Sequence, residues 1–366
     1  MSGAAADGKG PFPEEGQWPV LVLGGSGYVA GEMLRLIAAH PRLELAGAIS
    51  TSQAGEQIAA TFPHLAPAYP RQCFVTLEAA IERLGAAERS VLLSAAPHGA
   101  SAEIVAQMLD AAESAGVTLT VVDASADFRF ADPEAYAAVY GHPHAAPERL
   151  ADFTCALPEH LKSVETPHAA HPGCFATSML LGIVPLVATG LVDGEFYVSA
   201  VTGSTGAGRT PRDTTHHPLR HNNLFAYQAL KHRHSPEVRA LTEAATGRPI
   251  GLHFAPHSGP FARGIYASIF ARHTGGLTTA DAIEALAEFY RDAAFVRVLE
   301  DPPRMKDIVA TNYAAISAAV DGDTVVVHST VDNLVKGAAG GSIQWTNRLL
   351  GLPEHLGLTA PTAGWL

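Results

Sequence analysis

The stretch WPVLVLGGSGYVAGEMLRLIAAHP, residues 18–41, constrains the fold more than any other part of this chain. An apolar, β-prone run at Val20–Leu23 leads into a glycine turn, and the helical pattern that follows ends before Pro41. In such a turn Gly24 and Gly27 let the backbone approach a pyrophosphate, while the helix N-terminus presents N–H groups and the positive end of its dipole. An ordinary tight turn between a strand and a helix is the alternative. The stretch predicts the first strand, turn and helix of a doubly wound α/β domain.

The same alternation continues through the first third of the chain. Predicted strands in LELAGAIS, SVLLSAA and VTLTVVDAS alternate with predicted helices at Leu77–Leu84 and Ala100–Ala115. This order is typical of a parallel sheet covered by helices. With 366 residues, of which 47% are hydrophobic and 16% charged, the chain can bury an ordinary core, and its length favours two domains over one.

Composition and charge exclude several classes of protein. The formal net charge of −12 repels phosphate backbones and anionic membranes, so we expect neither as a partner. No stretch approaches the ~20 uninterrupted apolar residues that span a bilayer. Residues 1–16 lack the features of a signal or transit peptide and predict a flexible extension of a soluble, cytoplasmic protein. Three cysteines without a CxxC pair indicate neither a zinc ribbon nor a disulfide framework.

The end of the second predicted strand bears on the choice of cofactor. NAD sites commonly place an Asp or Glu about 20 residues beyond the glycine turn, where it binds the ribose 2′-hydroxyl. Here the strand runs into ISTSQAG, which offers the neutral hydroxyls of Ser50, Thr51 and Ser52 and no carboxylate to repel a 2′-phosphate. The pattern favours NADP over NAD. Turn formation by hydroxyl residues after a strand is the alternative interpretation.

One of the three cysteines has an unusual setting, in HPGCFATSMLL. Residues 175–190 are apolar enough for a buried helix, so the Pro172-Gly173 turn sets Cys174 at or near a helix N-terminus. There, free N–H groups and the helix dipole stabilise a thiolate and lower the thiol pKa. The pattern predicts a nucleophile, and a small buried apolar cysteine is the alternative. Cys73 and Cys155 lack this setting and are interpreted as structural.

The densest histidine cluster lies in TTHHPLRHNNLFAYQALKHRHSPEV and contains His216, His217, His221, His232 and His234. No acidic residue or cysteine with metal-site spacing accompanies it, so an acid/base role is favoured and no metal is expected. A thiol nucleophile, a proton shuttle and a nicotinamide cofactor together indicate thioester chemistry coupled to hydride transfer.

Seven blocks, in order across nearly the whole chain, resemble the N-acetyl-γ-glutamyl-phosphate reductase family: GGSGYVAGEMLRLIAAHP, APHGAS, DASADFR, HPGCFAT, GSTGAGR, KHRHSPEV and VDNLVKGAAG. The resemblance implies an N-terminal Rossmann NADP-binding domain, residues 17–170 and 336–366. It implies an α+β catalytic and dimerisation domain of the glyceraldehyde-phosphate dehydrogenase type, residues 171–335. The implied activity is NADPH-dependent reduction of N-acetylglutamyl 5-phosphate to the semialdehyde with release of phosphate, in a homodimer or homotetramer.

The resemblance also assigns roles to individual residues. Cys174 matches the family's nucleophile and His232 its acid/base, with His234 as the second choice of shuttle and a substrate contact. Asn333 resembles the side chain that holds the nicotinamide carboxamide, and Gly337 leaves room for the cofactor. Further cofactor contacts are implied at Gly24, Ser26, Gly27, Tyr28, Val29, Ser50, Ser52, Pro97 and Gly206. An acyl phosphate that also carries a carboxylate needs guanidinium groups to bind its negative charges. The candidates are Arg129, Arg209, Arg233 and Arg263, and a surface salt bridge is the alternative interpretation of each.

Departures from the family pattern leave alternatives open. Ala30 stands where a glycine is common, GVSGAGR is GSTGAGR here, and YGLPE is TCALPEH here. A related reductase acts on aminoadipyl phosphate carried by a small acidic protein, and its HHP stretch resembles residues 216–218. The charge of −12 argues against docking such a carrier. Aspartate-semialdehyde dehydrogenase matches the HRH and SADFR blocks less well. The glycine turn argues against a Cys–His hydrolase, and a non-catalytic NADP-binding protein needs no reactive thiol.

Overall fold

The structure is a computed structural model that describes residues 16–273 and 275–364, so the predicted extension at residues 1–16 lies outside it except for Gly16. The strands are β1 Trp18–Leu23, β2 Leu43–Ile49, β3 Arg89–Ser94, β4 Thr118–Asp123, β5 Phe153–Cys155, β6 His168–Ala170, β7 Val192–Thr202, β8 Phe225–Ala226, β9 Gly251–Ser258, β10 Ile265–His273, β11 Val296–Val298, β12 Ala314–Asp321 and β13 Thr324–Val331. The helices are α1 Tyr28–Ala39, α2 Ile58–Thr61, α3 Leu77–Gly85, α4 Ser101–Ala115, α5 Pro133–Tyr140, α6 Cys174–Ala188, α7 His217–Arg220, α8 His234–Thr246, α9 Thr279–Phe289 and α10 Gly340–Leu349. A π-helical turn, Val335–Ala339, precedes α10.

The first sheet is the parallel sheet that the strand and helix alternation predicts. Its six strands run in the order β2-β1-β3-β4-β6-β5, and every pairing is parallel. Because β1 pairs with β2 on one side and β3 on the other, the strand order reverses at β1. Doubly wound sheets bind ligands in the crevice at the carboxyl ends of the strands that flank such a reversal. The glycine turn after β1 therefore lies at the expected ligand site.

The second sheet is mixed and is covered by helices on one face. Its seven strands run in the order β11-β12-β13-β10-β7-β9-β8. The core between this sheet and α6, α8 and α9 includes Leu180, Phe196 and Ile269. On the opposite face, the neighbouring pair Tyr197 and Phe270 is 56% and 41% exposed. The second sheet thus has one face in the core and one aromatic face open to solvent.

The C-terminal segment returns to the first sheet. Ile343 and Trp345 of α10 belong to the same core as Val20 of β1 and Val91 of β3. The Trp345 indole Nε1 donates a hydrogen bond of 3.0 Å to the Ala156 carbonyl oxygen. In the part of the chain that the structure describes, no helix has the length and apolarity needed to cross a membrane.

A buried ion pair holds the π-helical turn in place. Lys336, which is 0% exposed, contacts Glu159 Oε1 and donates a hydrogen bond of 2.8 Å from Nζ to Gln344 Oε1. Burial alone raises the pKa of the Glu159 carboxyl. The adjacent Lys336 ammonium and the Gln344 amide outweigh burial and lower this pKa to about 2.

Lys336→Met should lower the free energy of unfolding by about 3 kcal/mol, because it leaves a buried carboxylate without its cation. The folded-state pKa of Glu159, about 2, is below its ordinary value of 4.5. The stabilisation is therefore complete above about pH 4.5 and is lost as the pH falls towards 2. Urea unfolding measures the difference from the wild-type protein, which should shrink between about pH 7 and about pH 3. Exposed Lys231→Met is the control, and equal urea midpoints for both variants would contradict the prediction.

Candidate active site

Cys174 is the first residue of α6, as the Pro-Gly turn predicts, and Gly173 is the N-cap. A Cβ atom on Gly173 would lie 2.3 Å from His234 Nε2 and 2.7 Å from Arg129 Nη1, so a larger residue there would displace these two side chains. The Gly173 N–H donates a hydrogen bond of 2.6 Å to Glu237 Oε1. These contacts bring α8 against the turn before the cysteine, so an imidazole nitrogen lies beside the N-terminus of α6.

Gly337 of the π-helical turn approaches the cysteine from another side. A Cβ atom on Gly337 would lie 2.8 Å from the Cys174 Cβ and 3.0 Å from its Cα. The resemblance implied that this glycine leaves room for the cofactor. In the structure the space that it leaves is taken by Cys174 itself. The glycine therefore lets the π-helical turn pack against the nucleophile candidate.

The predicted lowering of the Cys174 thiol pKa is wrong in this structure. Burial raises the pKa, and the Arg129 charge, the Phe175 N–H and the Arg233 charge only partly oppose it. The Phe175 N–H at the helix N-terminus does lower the thiol pKa, but desolvation of the thiolate has the larger effect and raises it. The thiol is therefore protonated near neutral pH, and a nucleophilic step needs a base to remove its proton.

Two buried histidines of the HRH block are the candidates for that base. Burial, followed by the Arg233 charge, lowers the pKa of His232 to about 4. Burial, followed by the charges of His232, Arg129 and Arg233, also lowers the pKa of His234. Both imidazoles are therefore neutral at pH 7 and able to accept a proton.

The two histidines differ in where their rings lie. His232 packs edge-on to Phe175, Tyr227 and Phe254, and its Nδ1 accepts a hydrogen bond of 3.2 Å from the His234 N–H. His234 Nε2 instead lies against Gly173, one residue before Cys174. The structure therefore sets the His234 imidazole beside the α6 N-terminus, whereas His232, the histidine that the resemblance assigned as the shuttle, lies among three aromatic rings.

Glu237 is a site residue that the sequence reasoning missed. It is 0% exposed, and besides the Gly173 N–H it binds Arg129 Nη1 at 3.2 Å. Arg129 is 6% exposed and also donates from Nε to the His171 carbonyl and from Nη2 to the Ala124 carbonyl. These contacts do not support the predicted role of Arg129 as a substrate anion contact. The spacing of Glu237 could have indicated it, because Glu237 follows His234 by three positions and so lies on the same face of a helix.

The other three candidate arginines have three different settings. Arg263 forms ion pairs with Asp332, through Nε at 3.0 Å, and with Glu32 of α1, through Nη1 at 2.8 Å. These contacts link the two sheets and do not support its predicted role as a substrate contact. Arg233 is exposed, and within residues 16–273 and 275–364 no ion pair or hydrogen bond engages its guanidinium. Its charge lowers the pKa of Cys174, which indicates that it lies near the nucleophile.

Arg209 lies in a cavity at the switch point of the first sheet. The cavity has a volume of about 640 Å³, within the range typical of cofactor sites. Six predicted cofactor residues line it, namely Gly24, Ser26, Gly27, Ser50, Ser52 and Pro97. Thr51, the third of the hydroxyl residues after β2, also lines it. Lining residues that the sequence did not indicate for the cofactor include Leu77, Ala96, Ala100, Ile104 and Arg209.

The backbone of the cavity fits a dinucleotide. Gly24 has φ of +76°, and a Cβ atom there would lie 2.6 Å from the Ala95 carbonyl oxygen, so the turn requires glycine. Gly27 is the N-cap of α1 and lines the cavity, so the free N–H groups of the first turn of α1 lie at the edge of the cavity. The apolar side chains of Leu77 and Ile104 form a wall suited to an adenine ring.

Four predicted cofactor residues do not line this cavity. Tyr28 and Val29 are the first two residues of α1, and Gly206 lies in the loop after β7. Asn333 is 2% exposed, accepts a hydrogen bond of 2.8 Å from the Gly264 N–H and donates one of 3.0 Å to Thr205 Oγ1. These contacts place the Asn333 amide between two loops of the protein and do not support its predicted contact with the nicotinamide carboxamide.

The described residues hold no group of three or more His, Cys, Asp or Glu side chains arranged to bind a metal ion. His216 and His217 line a separate surface depression, away from the buried pair His232 and His234. Of the remaining thiols, Cys73 is exposed, and burial raises the pKa of Cys155 well above its ordinary value. The histidine cluster in the sequence therefore divides into a surface group and a buried pair.

Comparisons with known proteins agree with this architecture. Residues 19–153 match the semialdehyde dehydrogenase NAD-binding domain, and residues 174–333 match the semialdehyde dehydrogenase dimerisation domain. The N-acetyl-gamma-glutamyl-phosphate reductase of Rhodospirillum rubrum is 36% identical over 93% of this chain and 96% of that protein. An Aeropyrum pernix protein, named as a reductase of LysW-linked 2-aminoadipate or glutamate phosphate, is 34% identical over 93% of this chain and 97% of that protein. The solved Candida albicans aspartate-semialdehyde dehydrogenase with NADP has a TM-score of 0.60 and 14% identity, covering 93% of this chain and 99% of that chain.

The two sheets and the two matched domains define an oxidoreductase of the semialdehyde dehydrogenase type with a nicotinamide dinucleotide cofactor. Within that class, the chain belongs to the N-acetyl-γ-glutamyl-phosphate reductase family. The family resemblance and the two-part α/β fold predicted from the sequence are both confirmed.

Proposed function

We propose that this protein reduces N-acetyl-γ-glutamyl phosphate to N-acetylglutamate semialdehyde and phosphate with NADPH, a step of arginine biosynthesis in the cytoplasm. The observation that carries the proposal is the position of Cys174 at the α6 N-terminus, with His234 Nε2 against the preceding glycine. The substrate is that in the name of the Rhodospirillum rubrum relative. NADPH is proposed over NADH because Ser50–Ser52 bring no carboxylate to the cavity.

In the proposed first step, the neutral His234 imidazole removes the Cys174 proton as the sulfur attacks the acyl carbon. The C–O bond to phosphate breaks, a thioester forms on Cys174, and the proton passes from His234 to the departing phosphate. Because the thiol pKa is raised, sulfur becomes nucleophilic only as the proton leaves. A neutral imidazole at pH 7 is the form that this step requires.

When bound, the nicotinamide supplies the hydride that reduces the thioester. The tetrahedral oxyanion then collapses, the C–S bond breaks, and the aldehyde is released as the Cys174 thiolate leaves. A proton taken up from solvent through His234 restores the thiol. Glu237 contributes by position, because its carboxylate binds the Gly173 N–H and Arg129 and so holds α8 against the α6 N-terminus. We further propose residues 17–170 with 336–366 as the cofactor domain and residues 171–335 as the catalytic domain.

Arg233 is the proposed contact for the substrate anion, since it is exposed and its charge acts on Cys174. Arg233→Gln should raise KM for the acyl phosphate by about 10- to 100-fold, because a charge-assisted hydrogen bond is lost. The Kd for NADPH should stay unchanged. Steady-state kinetics and a cofactor titration measure both values. Arg239→Gln, on the exposed face of α8, is the matched control. A changed NADPH affinity with an unchanged KM would contradict the assignment.

The substrate is tested in the reverse reaction, as phosphate-dependent NADP reduction with three semialdehydes. N-acetylglutamate semialdehyde should react with the highest kcat/KM, and carrier-linked aminoadipate semialdehyde and aspartate semialdehyde should react poorly. Preference for the carrier-linked compound would instead assign the protein to the activity in the name of the Aeropyrum pernix relative. Cofactor binding without turnover of any of the three would overturn the proposal.

We also propose a homodimer formed through the open face of the second sheet. Tyr197 and Phe270 are register partners on β7 and β10, and both are more than one-third exposed. They lie within the match to a dimerisation domain. Sedimentation velocity should give twice the chain mass, and Tyr197→Glu with Phe270→Glu should shift the species to the monomer. A dimer unaffected by both changes would place the interface elsewhere.

A further inference from the structure

Arg209 brings a positive charge to the dinucleotide cavity from the other part of the chain. It follows β7 of the second sheet, yet its Nη1 donates a hydrogen bond of 3.1 Å to the Ser26 carbonyl oxygen in the glycine turn. Its guanidinium carbon also lies 5.6 Å from the centre of the Phe62 ring, within cation–π range. Of the described residues that line the cavity, Arg209 alone carries a formal charge.

These two contacts place the guanidinium on the β2 side of the glycine turn. Ser26 Oγ lies 3.4 Å from Ser50 Oγ, so Ser26 is adjacent to the residues that follow β2. Phe62 lies in the connection after β2 and α2. In doubly wound sheets the residues after the second strand bind the adenosine ribose, whereas the pyrophosphate lies at the helix N-terminus. Arg209 is therefore held near the ribose end of the cavity.

The first sheet lacks a cation of its own at this end. The segment STSQAGEQIAAT, residues 50–61, contains hydroxyls and one glutamate but no lysine or arginine. Backbone N–H groups and the α1 dipole already serve the pyrophosphate, which needs no arginine. A ribose 2′-phosphate carries about two negative charges, and the hydroxyls of Ser50, Thr51 and Ser52 donate hydrogen bonds but supply no charge.

The loop that carries Arg209 is anchored well enough to position it. Gly203 N–H binds the Gly264 carbonyl at 2.9 Å, Ser204 N–H binds the Phe261 carbonyl at 2.9 Å, and Thr205 N–H binds the Ala262 carbonyl at 3.0 Å. A Cβ atom on Gly203 would lie 2.3 Å from the Ala262 carbonyl oxygen, so the two loops pack backbone to backbone.

We infer that Arg209 is the residue that selects NADPH over NADH, by binding the 2′-phosphate together with the hydroxyls after β2. The catalytic part of the chain thus supplies the cation for the cofactor part. This inference rests on the proposed NADPH dependence and adds a specificity-determining residue to it. It replaces the role in substrate binding that the sequence resemblance implied for Arg209.

The test measures binding rather than turnover. Kd values for NADPH, NADH, 2′,5′-ADP and 5′-AMP are determined by calorimetry for the wild-type protein, Arg209→Gln, Arg209→Lys and the control Arg212→Gln. Arg212 lies on the same exposed loop but outside this cavity. Arg209→Gln should weaken NADPH and 2′,5′-ADP by about 10- to 100-fold and leave NADH and 5′-AMP within about twofold. Arg209→Lys should lose less, because the charge remains, and Arg212→Gln should match the wild-type protein.

Equal weakening of NADPH and NADH by Arg209→Gln would overturn the inference, because it would place the guanidinium on the pyrophosphate. Unchanged Kd values for all four ligands would also overturn it. The retained affinity for NADH and 5′-AMP shows at the same time that the variant is folded. If the wild-type protein prefers NADPH through Arg209 but reduces no acyl phosphate, this inference stands and the proposed function fails.

Discussion

Cys174→Ser should lower kcat by on the order of 10⁴-fold or more, because a serine hydroxyl is far harder to deprotonate than a thiol and forms no thioester. The His234 imidazole, whose pKa is lowered by burial, is too weak a base to populate an alkoxide at pH 7. NADPH affinity should be unchanged, since Cys174 does not line the dinucleotide cavity. Steady-state kinetics and a cofactor titration on the same preparation measure both quantities.

Mass spectrometry gives an independent readout of this prediction. The wild-type protein mixed with the acyl phosphate without NADPH should gain the mass of the acyl group on the peptide that contains Cys174. The Cys174→Ser variant should gain none. Cys73→Ser is the matched control, because Cys73 is exposed and distant in sequence from the site. Full activity of Cys174→Ser, or acylation of another residue, would rule out the thioester route.

His234→Asn should lower kcat/KM by about 10²- to 10⁴-fold, the usual contribution of a general acid–base group. Its Nε2 lies beside the residue that precedes Cys174, and in the proposed mechanism its loss removes the acceptor for the thiol proton. Alkylation of Cys174 by iodoacetamide should slow in parallel, which a loss of substrate binding alone would not cause. His232→Asn should cost less, because that ring packs against Phe175, Tyr227 and Phe254.

The pH dependence separates the two histidines further. Because burial lowers the pKa of His234, its base form persists below the ordinary imidazole range of about 6.5 and is lost only at more acid pH. The acid limb of kcat/KM should therefore lie below the ordinary imidazole range and should disappear in His234→Asn. If His232→Asn removes that limb and His234→Asn retains it, His232 is the shuttle, as the sequence resemblance assigned.

Local sequence signals predicted the elements that position the site. The run Val20–Leu23, the glycine turn and the helix after it form β1, the turn and α1 within about two residues of their predicted ends. The apolar run after Pro172-Gly173 forms α6 with Cys174 at its first position. Each depends on backbone and side-chain preferences within a few residues, such as hydrophobic period, glycine conformation and helix termination, and these are readable from the sequence.

Contacts between distant segments decided what the local signals could not. Arg129 forms an ion pair with Glu237, and Arg263 forms one with Glu32. Two arginines that the sequence suggested as substrate contacts are therefore paired with carboxylates of the protein itself. Arg209, from the loop after β7, lies against the glycine turn of the other sheet. The ion-pair partner of a charged side chain depends on which distant segments pack together. A single sequence does not show which segments these are.

The cysteine shows both contributions at one atom. The sequence determined that the Cys174 sulfur lies at a helix N-terminus, where the local dipole favours a thiolate. The tertiary structure determined that burial raises the thiol pKa in spite of the Phe175 N–H at the helix N-terminus, and it set the His234 imidazole beside the preceding glycine. The physical reason is range: capping and dipole effects act within one helical turn, whereas desolvation depends on every segment packed around the sulfur.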